Sequence, residues 1–315
     1  MSLLDIQPNI IDPTLETKMF WFYGEPGTRK TSVAACFPKH LIFATEKGYK
    51  FINGAMVQPV NNWNEVRRFY RELKEDAVKE RFTTIVFDRI DTLYEYCYDY
   101  VLKQLDVDEL TQAGYGKGWK TLKKEFNSVI KGIENLGYGM IFISHDKDIT
   151  KNMEKIGTKA DLDKTASRII QGYADFVFKL SKAEVDGRRT VIAETDVDGA
   201  ESKSRARYFA PQFEFTYASL EKEMARAIEK QVNMEGIEIK VQSLQPAEKR
   251  PYDEVFNSIK TMITHYYEIE SPKIVDIEQV VNIQLGGKKF SQINETYYDQ
   301  LMVIETYLLG LEEEE

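Results

Sequence analysis

At 315 residues, with 43% hydrophobic and 30% charged content, the chain has room for about two globular domains, and no run approaches the roughly 20 apolar residues of a membrane helix. A net charge of −9 argues against a protein that coats duplex DNA indiscriminately, although a local basic channel remains compatible with it. Two cysteines far apart and three histidines are too few for a disulfide framework or a zinc site, so Cys36 and Cys97 are expected to be small core residues.

Residues 1–17 read as an N-terminal arm. Its start, "MSLLDIQPNI", lacks the basic then apolar layout of a secretion signal, so a cytoplasmic protein with no membrane partner is expected. From Lys18 onward, short apolar runs alternate with helix-like segments. The runs "MFWFY" (19–23), "HLIFAT" (40–45), "FTTIVFD" (82–88) and "GMIFISH" (139–145) predict buried strands. Between them, 30–37, 63–76, 90–106 and 119–136 predict helices. The alternation implies an α/β fold with a mostly parallel sheet flanked by helices. After residue 174, two β-rich runs around Asp186 and Gly187 predict an antiparallel hairpin that extends this sheet. A helix from about Tyr217 to Gln231 closes a core spanning 18–232. Residues 233–251, with Pro246 and Pro251, read as a linker. Val255, Ile259, Met262, Ile263 and Tyr266 recur at helical spacing, as do apolar residues in "INETYYDQLMVIETYLLGL", predicting a small helical C-terminal module over 252–311. The acidic run 312–315 reads as a solvated tail.

The stretch "GEPGTRKTS", Gly24, Glu25, Pro26, Gly27, Thr28, Arg29, Lys30, Thr31 and Ser32, follows the first strand and opens a helix. It matches the phosphate-binding pattern G-x-x-x-x-G-K-[ST], in which backbone N–H groups at a helix start converge on phosphates, except that Arg29 stands where the second glycine belongs. An arginine there must aim outward or shift the loop. Lys30 is expected on the β- and γ-phosphates of ATP and the Thr31 hydroxyl on Mg²⁺. Asp88, at the end of a buried run about 60 residues on, has the layout of the acidic residue that faces this metal. Glu46 and His145 end other strands, where the ligand crevice of such a sheet lies. Glu46 suits a base for the attacking water, and His145 suits a sensor of the γ-phosphate.

This order of parts resembles a RecA-type ATPase core. It is similar to the compact RecA-like phage proteins grouped with the Sak single-strand annealing recombinases, over about residues 15–232. "GEPGTRKTS" looks like that family's phosphate loop, Glu46 in "FATEKG" stands where RecA-like enzymes carry the catalytic glutamate, and Asp88 in "IVFDRID" matches their metal-facing aspartate. "FISHDK" occupies the place of the polar sensor. "SKSRARYFAPQFEFTY" resembles the late strand whose basic residues reach a neighbour's ATP, which nominates Lys203, Arg205 and Arg207. The resemblance implies catalytic Glu46, Asp88 and His145, ATP and Mg²⁺ as cofactors, homo-oligomers with ATP at subunit interfaces, and work in the bacterial host's cytoplasm.

Two basic regions fall where RecA-like proteins meet single-stranded DNA. The first holds Lys117, Trp119 and Lys120 in a glycine-rich setting, suited to base stacking and phosphate contact. In the second, Lys147, Lys151, Lys155 and Lys159 recur every four residues and would line one face if the segment were helical. The resulting expectation is an ATP-dependent recombinase that binds single-stranded DNA and promotes annealing or strand exchange, with a single-strand-binding protein as a further partner. Two other readings stay open: a nucleotide-gated interaction protein with little hydrolysis, and a motor or loader ATPase of replication or packaging.

Overall fold

The computed structural model describes residues 11, 13–151, 154–185, 187–196, 200–236, 251–269 and 271–312. They fall into two compact units that divide between Lys240 and Val241. Asp186 of the predicted turn, most of the predicted linker up to Arg250 and the acidic run Glu313 to Glu315 lie outside the described residues.

The larger unit starts with β1 (Met19–Gly24), α1 (Lys30–Ala34), β2 (His40–Ala44), β3 (Val57–Pro59), α2 (Trp63–Glu72), α3 (Asp76–Arg81), β4 (Thr84–Asp88), α4 (Ile90–Leu105), α5 (Lys117–Asn135) and β5 (Gly139–Ser144). It continues with β6 (Asp146–Lys151), β7 (Glu154–Ala160), α6 (Lys164–Tyr173), β8 (Phe176–Val185), β9 (Arg188–Glu194), β10 (Lys203–Ser204), β11 (Gln212–Glu214) and α7 (Tyr217–Glu235). Strand order in the main sheet is β11-β9-β8-β1-β5-β4-β2-β3, with β10 pairing against the start of β8. From β8 to β3 all neighbours run parallel, and β9 and β11 add antiparallel strands at one edge. The fold is therefore α/β, a mostly parallel sheet extended by an antiparallel hairpin.

Every residue of β1, β4 and β5 is buried. This is why their sequences are continuous apolar runs: helices cover both faces of a parallel sheet, and no strand position is left for water. Phe87 stacks on Phe142 at 5.4 Å across β4 and β5, and Phe22 stacks on Phe178 at 5.8 Å across β1 and β8. Side-chain caps fix where helices begin. Asn62 accepts from Glu65 N at 3.1 Å, Asp163 from Thr165 N at 2.7 Å and Thr216 from Ser219 N at 3.1 Å, each at the start of its helix.

Several elements differ from their predicted form. The helix expected over 63–76 is two, because Glu75 adopts an extended conformation and starts α3 afresh. The first helix stops at Ala34 rather than continuing to Phe37. The segment expected to align Lys147, Lys151, Lys155 and Lys159 on a helix is instead the antiparallel pair β6 and β7, with Lys147 opposite Lys159. Strand β3 and helix α6 were not anticipated.

The smaller unit holds α8 (Tyr252–Glu268), α9 (Ile274–Leu285) and α10 (Tyr298–Glu312). Val255, Ile259, Met262 and Tyr266 of α8 pack with Ile277 and Leu285 of α9 and with Leu301, Ile304 and Leu308 of α10. The 3- and 4-residue spacing on α8 is the stripe of one buried helix face.

Candidate nucleotide site

Between β1 and α1 the chain turns through Gly24 to Arg29. A side chain at Gly24 would put its Cβ 2.3 Å from the Leu180 carbonyl oxygen of β8, so only glycine lets the loop leave the sheet here. Lys30 then folds back into the loop. Its Nζ donates to Gly24 O at 2.7 Å, Glu25 O at 2.9 Å and Thr28 Oγ1 at 3.0 Å. Burial lowers the Lys30 ammonium from 10.5 to about 8, against the opposing pull of Asp146, Asp88 and Glu46.

Thr31 Oγ1 donates to Asp88 Oδ2 at 2.7 Å. The two residues meet although β1, which leads into the loop before Thr31, and β4, which ends in Asp88, are not neighbours: β5 lies between them. Asp88 is 4% exposed, and burial pushes its carboxyl up from 3.8 to about 6, with the Thr31 hydrogen bond opposing. Glu46 lies just beyond β2, half-exposed, with Oε2 3.7 Å from Arg89 Nη1. His145 follows β5, and burial lowers its pKa, aided by the positive charges of Arg89 and Lys30. The imidazole is therefore neutral at pH 7, the form that accepts a hydrogen bond at one nitrogen and donates at the other. The predicted Lys30, Thr31, Glu46, Asp88 and His145 thus share one electrostatic neighbourhood.

Arg29 adopts φ 59° and ψ 20°, the left-handed conformation that glycine takes without strain. It is exposed and, with Gly27, Lys182 and Arg189, borders a groove of about 390 Å³ between the loop and the β8–β9 hairpin. The arginine is accommodated outward, and the Lys30, Thr31 and Asp88 geometry is kept. A left-handed non-glycine residue costs about 1–2 kcal/mol, while glycine loses about 0.5–1 kcal/mol through its freer unfolded chain. Arg29→Gly is therefore expected to raise stability by up to about 1 kcal/mol, and Arg29→Ala is expected not to. Urea unfolding of the two variants beside the wild type checks this; a clear loss in Arg29→Gly would mean that the side chain itself holds the loop.

Three residues near this site carry no sequence motif. Arg89 follows Asp88, and Asp146 follows His145 and is the foremost charge acting on Lys30. Lys182 of β8 pairs with Glu25 of the loop at 3.4 Å. Their positions after strand ends, or on the neighbouring strand, are the signal that could have found them.

The basic residues nominated for a neighbour's nucleotide are engaged within the chain. Lys203 Nζ donates to Gln171 O at 2.7 Å and Ala174 O at 2.6 Å, closing the end of α6. Arg205 pairs with Asp175 at 2.9 Å and Arg207 with Glu235 at 2.6 Å, and both arginine side chains stay more than half exposed. Lys117, Trp119 and Lys120 lie on the first turn of α5, after Gly116 in a left-handed conformation. Trp119 is 46% exposed and Tyr115 fully so. Lys147 is paired with Asp161 at 2.6 Å, Lys159 is half-buried on β7, and Lys151 and Lys155 lie on β6 and β7.

The profile of the family described as an AAA domain matches residues 16–210, well over half of the chain. The chain belongs to the AAA-domain family. Membership makes the chain a P-loop NTPase and implies a nucleotide bound with a divalent metal ion. This AAA-domain protein is 28% identical over 320 residues to the SPbeta prophage-derived uncharacterized protein YorG of Bacillus subtilis strain 168, covering 96% of each chain. Among solved structures it aligns with the KaiC-like protein PH0186 from Pyrococcus horikoshii OT3 at 16% identity. That alignment covers 57% of this chain and 78% of the other, with a TM-score of 0.33. Among the described residues, no helix is long and apolar enough to cross a membrane.

Proposed function

We propose that this protein is an ATP- and Mg²⁺-dependent RecA-like ATPase that binds single-stranded DNA and promotes annealing or strand exchange in phage recombination, in the manner of the Sak group. One observation carries the DNA reading. Trp119, Lys120 and Lys123 of α5 and Thr165, Arg168 and Ile169 of α6 border a single groove of about 410 Å³. An aromatic ring on an apolar floor beside three cations is the chemistry that stacks a base while pairing its phosphates. The first basic region recognised in the sequence contributes one wall, and Arg168, beyond the lysines of the second, stands on the other. Similarity to a protein named as prophage-derived supports the phage setting.

Asp88 and Thr31 are hard oxygen donors of the kind Mg²⁺ takes, and no cluster of three or more His, Cys, Asp or Glu side chains offers a competing metal cage among the described residues. The remaining ligands would come from phosphates and water, and the ion would offset charge on the transferring phosphoryl group. Glu46 accepts the proton as water oxygen bonds to the γ-phosphorus and the bond from that phosphorus to the ADP oxygen breaks. Lys30 holds the β- and γ-phosphates. Arg205 and Arg207, ion-paired within the chain but more than half exposed, would turn to a second subunit's nucleotide, so that assembly would complete the site. Action in the host cytoplasm, possession of a single-strand-binding partner and homo-oligomers belong to the same proposal.

The test is ATP turnover with and without single-stranded DNA, beside DNA affinity for Trp119→Ala. Stacking is worth about 1–3 kcal/mol, so the variant should bind DNA about 5- to 150-fold more weakly and lose DNA stimulation while keeping its ATP affinity. Unchanged DNA binding by Trp119→Ala would remove the groove from the reading. The strained Arg29 favours a second reading, a nucleotide-gated scaffold, which predicts ATP binding with no turnover in either condition.

A further inference from the structure

The residue after Asp88 is an arginine held from two directions. Its Nε donates to Asp91 Oδ1 at 3.2 Å and its Nη2 donates to Asp91 Oδ2, a two-pronged, half-buried pair. Asp91 lies in the first turn of α4, where the helix end favours a carboxylate. The arginine's backbone is fixed as well: Arg89 N donates to Thr45 Oγ1 at 3.1 Å, and Thr45 N donates to Asp88 O at 2.7 Å. With Nε and Nη2 committed to Asp91, Nη1 remains, and it lies 3.7 Å from Glu46 Oε2.

Glu46 has no other hydrogen bond or ion pair among the described residues. At that distance and exposure the contact adds little to fold stability. A guanidinium clamped by a half-buried carboxylate is an expensive way to make a weak surface pair, which points to orientation as its use. We propose that Arg89 is a positioning residue for Glu46: a fixed cation, anchored by Asp91, that holds the Glu46 carboxylate facing the phosphate loop. This rests on Glu46 being the base of the proposed hydrolysis.

The test uses the full chain with Arg89→Ala, Arg89→Lys, Asp91→Asn, Glu46→Gln and the double variant Arg89→Ala/Glu46→Gln. Single-turnover ATP hydrolysis and ATP affinity are measured for each, with thermal unfolding to confirm folding. Arg89→Ala should lower the rate about 10- to 100-fold while ATP affinity stays within about threefold, because the effect passes through the base rather than the bound phosphates. Asp91→Asn should fall between wild type and Arg89→Ala, as should Arg89→Lys. The decisive readout is the cycle: with Glu46 already neutralised, Arg89→Ala should cost no further rate. Independent, multiplying losses in the double variant, or an unchanged or faster rate in Arg89→Ala, would overturn the assignment of Arg89 alone. A Glu46→Gln variant as active as wild type would instead sink the base reading and this proposal with it. If Arg89→Ala fails to fold, Asp91→Asn and its double variant with Glu46→Gln answer the same question, since freeing the guanidinium should have the same non-additive effect.

Discussion

Asp88→Asn is expected to yield a protein that is more stable and nearly inactive. The carboxyl of Asp88 is 4% exposed and titrates near 6 instead of 3.8, chiefly because burial penalises its charged form. Between about pH 4 and 6 the folded chain therefore holds more protons at this group than the unfolded chain does. Stability contributed here falls as pH rises through that window, and the full penalty is present at pH 7.5. A shift of about two units corresponds to about 3 kcal/mol as an upper bound. Asparagine keeps an acceptor for the Thr31 hydroxyl and carries no charge to bury, so a gain of about 1–3 kcal/mol at pH 7.5, shrinking toward zero near pH 4, is the expected result. Turnover should drop by about 100-fold or more, because the carboxylate proposed to face the metal is lost. Urea unfolding at pH 4 and 7.5, run beside ATP turnover, checks both halves. A destabilised Asp88→Asn at pH 7.5 would mean that the aspartate is held as a favourable charge, contrary to its surroundings.

The same trade shaped what could be read in the sequence. Strands β1, β4 and β5 announce themselves because both faces are covered, and the candidate site residues stand at or just beyond their ends: the loop from Gly24, Asp88 and His145. The order of those strands leaves no such trace. Nothing in "MFWFYG" or "TIVFD" says that β5 intervenes between them, yet that order is what sets Thr31 against Asp88. The lysines at 147, 151, 155 and 159 mislead for a specific reason. A spacing of four keeps residues on one side of a helix and also on one side of a strand, whose period is two, so the pattern fits both. Pairing of β6 with β7 decided for strands, with Lys147 and Lys159 directly opposed. The groove beside Trp119 was half legible: the lysines around Trp119 are visible in the sequence, but the facing wall is α6, which starts from the Asp163 cap and was not anticipated. Arg89, Asp146 and Lys182 were missed because their importance comes from position beside the loop, and no residue pattern encodes that.

Lys30→Ala is expected to weaken ATP binding by about 100-fold or more and to abolish turnover, with a far smaller effect on folding. Among the described residues, the ammonium's hydrogen bonds go to the loop itself, at Gly24, Glu25 and Thr28. Losing them costs stability, but the variant also escapes the desolvation that lowers Lys30 to about 8, and the two effects offset. Phosphates change that balance. They bring negative charge to a buried cation, which raises its pKa again, so ATP binding above about pH 8 must take up a proton. The sign follows directly: affinity should be steady below about pH 7 and fall as pH rises through 8 toward 9, where the free protein has lost the Lys30 charge. Calorimetry at pH 7 and 9, in buffers of different ionisation enthalpy, would register the proton uptake at pH 9 in the wild type. In Lys30→Ala the residual binding should show no such uptake. If the wild type binds ATP equally well at both pH values, Lys30 keeps its charge through the whole range, and its burial in the loop is relieved by Asp146, Asp88 and Glu46 more completely than its depressed pKa implies.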